Sequence, residues 1–97
     1  MQHYLALTAS ELLAPTPPNR DAICVEDKDV PPNSSWEETT EDARDDAALE
    51  SLHLAREEQS APTRLVVGGT LPNRDAHFGS WQQVDEIYAD DTRGQEI

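Results

Sequence analysis

The apolar residues of this chain fall into short runs, separated by long stretches rich in Pro, Asp, Glu, Asn and Ser. Only 36% of the 97 residues are hydrophobic, so the chain can enclose one modest core but not two. We therefore expect a single small domain over residues 1–90, with short ordered elements joined by exposed loops. Residues 91–97 are predicted to form a flexible tail.

Four of the apolar runs have the composition of β-strands, because they are short, rich in β-branched or aromatic residues and bounded by turn formers. They cover residues 3–8, 22–25, 64–67 and 86–89. Gly68 and Gly69 are predicted to end the third strand. A helical segment separates the second run from the third, and a connection of this length favours at least one parallel pair.

Thr8, Ser35 and Ser80 each stand three positions before a Glu or Gln, the spacing of a capping box at a helix start. Thr8 with Glu11 predicts a brief helix before the prolines at 15, 17 and 18, and Ser80 with Gln83 predicts one turn. Ser35 with Glu38 predicts the main helix, over residues 37–58. On that helix Ala47, Ala48, Ser51, Leu52 and Ala55 share one side, flanked by Leu49 and Leu54.

Together these patterns predict an α/β or α+β domain. We expect a small three- to four-stranded mixed sheet, with the one main amphipathic helix packed on a face.

Charge limits the possible partners. Twenty acidic residues against seven basic ones give a net charge of −13, which repels phosphate backbones and anionic lipids. Direct binding to nucleic acid or membranes is therefore disfavoured, whereas a basic surface on another protein would be attracted. The chain also contains no apolar run near the roughly 20 residues that span a bilayer, and its lone Cys24 has no internal disulfide partner. These features predict a cytoplasmic protein.

No arrangement of residues matches a known catalytic or metal-binding pattern. Asp27 and Glu38 have the outer spacing of a calcium-binding EF-hand loop, but Pro31 and Pro32 occupy a ligand position and the obligatory glycine position. Cys24 lies within an apolar strand, which is typical of a packed thiol and not of a nucleophile. We therefore expect no metal, no cofactor and no catalysis, although an active site assembled from distant residues would leave no linear motif.

The best candidates for partner binding lie at the start of the main helix. Trp36 is an aromatic residue beside this start, and aromatic residues are favoured in interfaces; its alternative role is a hydrophobic staple. Trp81 and Tyr88 are at least as well explained by packing in the core. The candidate acidic face consists of Glu37, Glu38, Glu41, Asp42, Asp45 and Asp46. The dipole of the helix accounts for the acids of the first turn but not for Asp45 and Asp46.

A seven-residue segment occurs twice, at residues 16–22 and 70–76, with a single difference. Both copies contain Pro-Asn-Arg-Asp-Ala, and Pro and Asn favour turns, so one loop conformation used twice is the favoured interpretation. The alternative is that both loops present an arginine, Arg20 and Arg74, to a common partner.

Several landmarks resemble an uncharacterised family of small actinobacterial α/β proteins, a domain of unknown function. The family typically opens with Met-x-Val-Tyr-x-Pro-x-Thr and a leucine-containing helix, which is similar to Met1, Tyr4, Thr8, Leu12 and Leu13, with Ala6 in place of the proline. Its acidic helix, its Arg-x-Val-Val strand and its Val-x-x-x-x-Asp-Asp segment resemble residues 45–54, 64–67 and 84–91. The longer C-terminal part of the family has no counterpart here. The resemblance implies a fold and no catalytic residues.

The sequence thus favours a non-enzymatic accessory or regulatory protein that binds a protein partner through an acidic helix face. The alternative is a DNA mimic, of the kind that phages encode, in which carboxylates spaced like phosphates block a nucleic-acid-binding protein.

Overall fold

The computed structural model describes residues 1–59 and 63–91. Its strands are β1 (Gln2–Leu7), β2 (Ile23–Val25), β3 (Thr63–Thr70) and β4 (Glu86–Asp91), and its long helix is α1 (Trp36–Glu57). Short 3-10 helices cover Ala9–Leu13, Asp27–Asp29 and Trp81–Gln83. Of the predicted tail at 91–97, Asp91 ends β4 and the rest lies outside the described residues.

The four strands form one sheet in the order β2-β1-β3-β4, with α1 packed on one face, so the fold is α+β as the sequence predicted. The predicted parallel pair is wrong, because all three pairings are antiparallel. β2 and β3 do run in the same direction, as a helical connection favours. However, β1 lies between them and pairs with both, so the two strands never become neighbours.

The sheet is covered on both faces, each by its own apolar cluster. On the face under α1, Tyr4, Val25 and Val66 pack against Ala43 and Ala47 of the helix. The opposite face carries Leu5, Leu7, Leu65, Val67, Leu71 and Phe78. This second cluster is covered by loop residues, including Ala22 and Ala76 from the two repeats. The repeated segments therefore help to close the core.

Small side chains bring α1 close to the sheet. Ala47, Ser51 and Ala55 of the predicted inner side are buried, as is Ala43, whereas Ala48 and Leu52 are half-buried. The fully buried hydroxyl of Ser51 donates to the carbonyl of Leu7 at 2.6 Å and accepts from the amide of Leu65 at 2.8 Å. Leu7 and Leu65 are opposite each other in register, so Ser51 ties α1 to the ends of both central strands.

The predicted helix starts are confirmed. The hydroxyl of Ser35 accepts from the amide of Glu38 at 3.1 Å. At the first 3-10 helix the amide of Thr8 donates to the carboxylate of Glu11 at 2.8 Å, and at the last the amide of Ser80 donates to the side chain of Gln83 at 3.2 Å.

Gly68 and Gly69 do not end β3, contrary to prediction, because the strand continues through them to Thr70. A Cβ atom on residue 69 would lie 2.2 Å from the backbone oxygen of Gln83 and 2.9 Å from the ring of Phe78. A side chain has no room there, so this glycine permits close approach of the covering loop.

Among the described residues, no helix combines the length and the apolar character that crossing a membrane requires.

Candidate partner-binding surface

The acids predicted at the start of α1 lie on its outer side. All six side chains, from Glu37 to Asp46, are exposed, and none forms an ion pair with another residue that the structure describes. Their charges are therefore presented to solvent.

Arg44 is the one base within this acidic segment, and it is turned toward the sheet. Its guanidinium group lies 4.4 Å from the centre of the Tyr88 ring, in cation–π geometry, and the hydroxyl of Tyr88 donates to the carboxylate of Glu86. Burial would lower the pKa of Arg44, but its hydrogen bond and charge interaction with Tyr88 raise that pKa above its ordinary value. Arg44 therefore stays charged, and of the six acids Glu41 contributes to its raised pKa by charge attraction.

Trp36 lies beside a groove at the start of α1. It is 41% exposed, and Met1 nearby is 38% exposed. The groove has a volume of about 460 Å³, and its lining is completed by Gln2, Val25, Glu26, Asp27, Lys28 and Thr70. Trp36 is the first residue of the helix and Ser35 is the cap. A hydrophobic staple uses the residue before the cap, so Trp36 does not fill that role.

The groove combines apolar side chains with charged ones, namely the acids Glu26 and Asp27 and the base Lys28, and this mixture is typical of a protein interface. Exposed aromatic and methionine side chains are favoured at the centre of interfaces, and charged residues are favoured at the rim. The apolar part of the groove lining consists of Trp36, Met1 and Val25, and Trp36 is partly exposed to solvent. Glu26 and Asp27 lie beside these residues. The sequence identified Trp36 but missed Met1 and Glu26, because their proximity depends on the pairing of β1 with β2.

Arg74 holds two acids near this groove. Its guanidinium group donates to Glu26 at 2.7 Å and to Asp29 at 2.6 Å. A backbone hydrogen bond from Glu26, followed by the bond from Arg74, lowers the pKa of Asp29. This network fixes the loop after β2 beside the second repeat.

Arg20, in the first repeat, also binds an acid. It forms a bidentate ion pair with Glu11, at 2.6 and 3.0 Å, and donates to the carbonyl of Ala6 at 2.7 Å. Glu11 and Asp29 each occupy the third position of a short 3-10 helix, so each repeat places its arginine on the carboxylate at that position.

The loop backbones differ, because the amide of Arg20 donates to the carbonyl of Pro18 in the first repeat, whereas the amide of Ala76 donates to the carbonyl of Asn73 in the second. The prediction of one loop conformation used twice is therefore not supported.

The two repeats also lie side by side. A cleft of about 330 Å³ is lined by Asp21 and Ala22 from the first repeat and by Arg74, Asp75, Ala76 and His77 from the second repeat and the residue after it. The ring of His77 contacts Asp21 at 3.0 Å. Arg20 does not line this cleft, so the two arginines are not brought together there. Their presentation to a common partner stays a prediction.

Trp81 and Tyr88 take part in packing, as the sequence indicated. Trp81 packs against the loop-covered cluster and donates its ring N–H to the carbonyl of Ala14 at 2.8 Å. Tyr88 packs against the cluster under α1. Of the three large aromatic candidates, Trp36 is therefore the one available for a partner.

Metal binding and the reactivity of Cys24 can be assessed from the described residues. Among them, no group of three or more His, Cys, Asp or Glu side chains is arranged to hold a metal ion. Burial raises the pKa of the Cys24 thiol, and Arg74 offsets this only in part. A protonated thiol is a poor nucleophile.

Comparison with known protein families, curated proteins and solved structures found no match to this chain. The resemblance to the actinobacterial family stays a prediction.

Proposed function

We propose that this protein binds a basic partner protein and acts without catalysing a reaction. Trp36 is the apolar anchor of the interface, and the exposed acids of α1 steer the partner toward it. The observation that carries this proposal is the exposed Trp36 in a groove with charged residues, next to six exposed carboxylates that form no ion pair with a described residue.

The two parts of this surface contribute differently to binding. Desolvation of a large aromatic side chain is a common source of affinity and acts on the dissociation rate. Exposed charges act mainly on the association rate, because they attract an oppositely charged surface before contact. The proposal therefore predicts separable effects from changes at Trp36 and changes at the acids.

A comparison of three baits tests the role of Trp36. The wild-type chain, Trp36→Ala and Leu49→Ala are each used to capture proteins from cells of the source organism, and the captured proteins are quantified by mass spectrometry. Leu49 is 56% exposed on the same helix, so it controls for the loss of an exposed apolar side chain. We expect a basic protein that is retained by the wild type and by Leu49→Ala and reduced about tenfold or more by Trp36→Ala.

Equal recovery of all basic proteins by the three baits would contradict the proposal. Circular dichroism of each bait checks that the fold is intact.

A second candidate function is mimicry of DNA, which the row of unpaired carboxylates along α1 favours. A partner held by mimicry would be a nucleic-acid-binding protein, and duplex DNA would compete for it. Competition by DNA, but not by an uncharged polymer, distinguishes this function from regulatory binding of another protein.

We place the binding in the cytoplasm, on the ground of the single Cys24 and the absence of an apolar segment long enough to span a bilayer in the sequence. Reducing conditions are therefore appropriate for each assay.

A further inference from the structure

Among the described residues, strand β4 pairs only with β3 and so forms one edge of the sheet. It is last in the strand order, and all six of its residues are in register with β3, from Glu86 opposite Gly68 to Asp91 opposite Thr63. Within the described residues, no strand pairs with its other edge. The opposite edge strand, β2, has only three residues and offers a far shorter template.

The side chains along this edge include an exposed apolar contact. Ile87 is 62% exposed, although its register partner Val67 is fully buried in the loop-covered cluster. Ile87 also lines a groove of about 480 Å³ between α1 and the edge of the sheet. The other lining residues are Arg44, Asp45 and Ala48 of α1, Arg64 and Val66 of β3, and Tyr88 and Ala89 of β4. An added strand would find apolar contacts with Ile87 and with the apolar part of this groove.

Charge decides which strand the edge accepts. Asp85 and Glu86 are exposed at the start of this edge, and Asp45 of the acidic face lines the adjacent groove. Arg44 and Arg64 line that groove as well, and Arg44 is held against the ring of Tyr88. The net charge of −13 makes two copies of the chain repel each other, which disfavours self-association. A strand with basic side chains is attracted by that net charge and by Asp85 and Glu86.

We infer that the open edge of β4 binds an extended basic segment of the partner protein, which adds to the sheet as a fifth strand. Backbone hydrogen bonds to β4 supply affinity, and the acids and Ile87 select basic residues alternating with apolar ones. The inference rests on the proposed function, because it takes the partner to be basic. It adds the place and the conformation in which a segment of that partner is held.

Two probe peptides separate strand addition from simple charge attraction. One is a blocked heptapeptide that alternates lysine with valine. The other keeps every lysine but replaces two valines by proline, which removes amide donors and prevents strand pairing. Each is titrated into the ¹⁵N-labelled full chain. We expect the first peptide to slow hydrogen exchange of the residue 86–91 amides and to bind at least about tenfold more tightly than the second.

Matched variants locate the site. Ile87→Lys places a base at the edge, whereas Leu49→Lys makes the same change on the exposed side of α1. Affinity for the alternating peptide is expected to fall about tenfold with Ile87→Lys and less than about threefold with Leu49→Lys. Equal affinity for the two peptides, perturbations confined to the acids of α1, or no binding of the alternating peptide would overturn the inference. None of these results bears on the Trp36 comparison, which tests the proposed function independently.

Discussion

At the scale of single residues, Ser51 shows how a polar side chain stabilises this thin core. Its hydroxyl bonds to both central strands and is fully buried. Ser51→Ala removes that hydroxyl, so the amide of Leu65 loses the acceptor of this hydrogen bond. An unsatisfied buried polar group lowers the free energy of unfolding by about 1 to 3 kcal/mol. We expect urea denaturation to show a loss of this size. Ser34→Ala is the control, and an equal effect of the two changes would contradict this role for Ser51.

Individual residues also show what the sequence could predict about the site. Trp36 and the acids of α1 were identified because a cap, a helix start and a run of charges are local patterns. Met1 and Glu26 were not identified, since they reach Trp36 only through the antiparallel pairing of Gln2 with Val25. The contact of His77 with Asp21 was missed for the same reason, because 56 residues separate the two in the chain.

At the scale of elements, the prediction succeeded where periodicity and caps are decisive and failed where the order of strands matters. The main helix follows from Ser35 and from the spacing of its small residues. The parallel pair was wrong because nothing in the local pattern shows that β1 lies between β2 and β3. β3 was predicted to stop at Gly68 because glycine commonly breaks strands. In the structure the strand continues, and the absence of a side chain at Gly69 lets the backbone of Gln83 approach it closely. This contact joins two different segments of the chain, so the local sequence pattern does not show it.

The first 3-10 helix makes stability depend on pH. Burial would raise the pKa of Glu11, but its bonds with Arg20 and with the amide of Thr8 together lower it. A carboxylate with a lowered pKa in the folded state stabilises that state above its ordinary pKa of 4.5, and the contribution is lost as the pH falls through the folded value. We expect unfolding free energy measured in urea to decline below about pH 4.5.

Glu11→Gln is expected to have a lower free energy of unfolding than the wild type at pH 7. In acid, where Glu11 of the wild type becomes protonated, the two free energies should converge. A constant difference between the two across the titration would show that the ion pair with Arg20 does not contribute in this way. Glu57→Gln is the control, because Glu57 is exposed and forms no ion pair with a described residue.

At the scale of the whole molecule, the charges are unevenly compensated. The arginines of the two repeats bind acids that close loops, and Arg44 lies on Tyr88, whereas the exposed acids on the outer side of α1 form no ion pair with a described residue. The net charge of −13 therefore acts most directly on a partner that approaches this side of the molecule. The central claim is that these charges steer the partner toward Trp36.

Association kinetics across a salt series test that claim most directly, with the basic partner recovered in the Trp36 comparison. The triple variant Asp42→Asn, Asp45→Asn and Asp46→Asn removes three charges from the face. Glu57→Gln, Asp75→Asn and Asp21→Asn remove three exposed charges elsewhere. We predict that the first variant associates about three- to tenfold more slowly at low salt, with a flatter salt dependence, while the second stays close to the wild type. Equal association rates and equal salt slopes for the wild type and the first variant would contradict the claim.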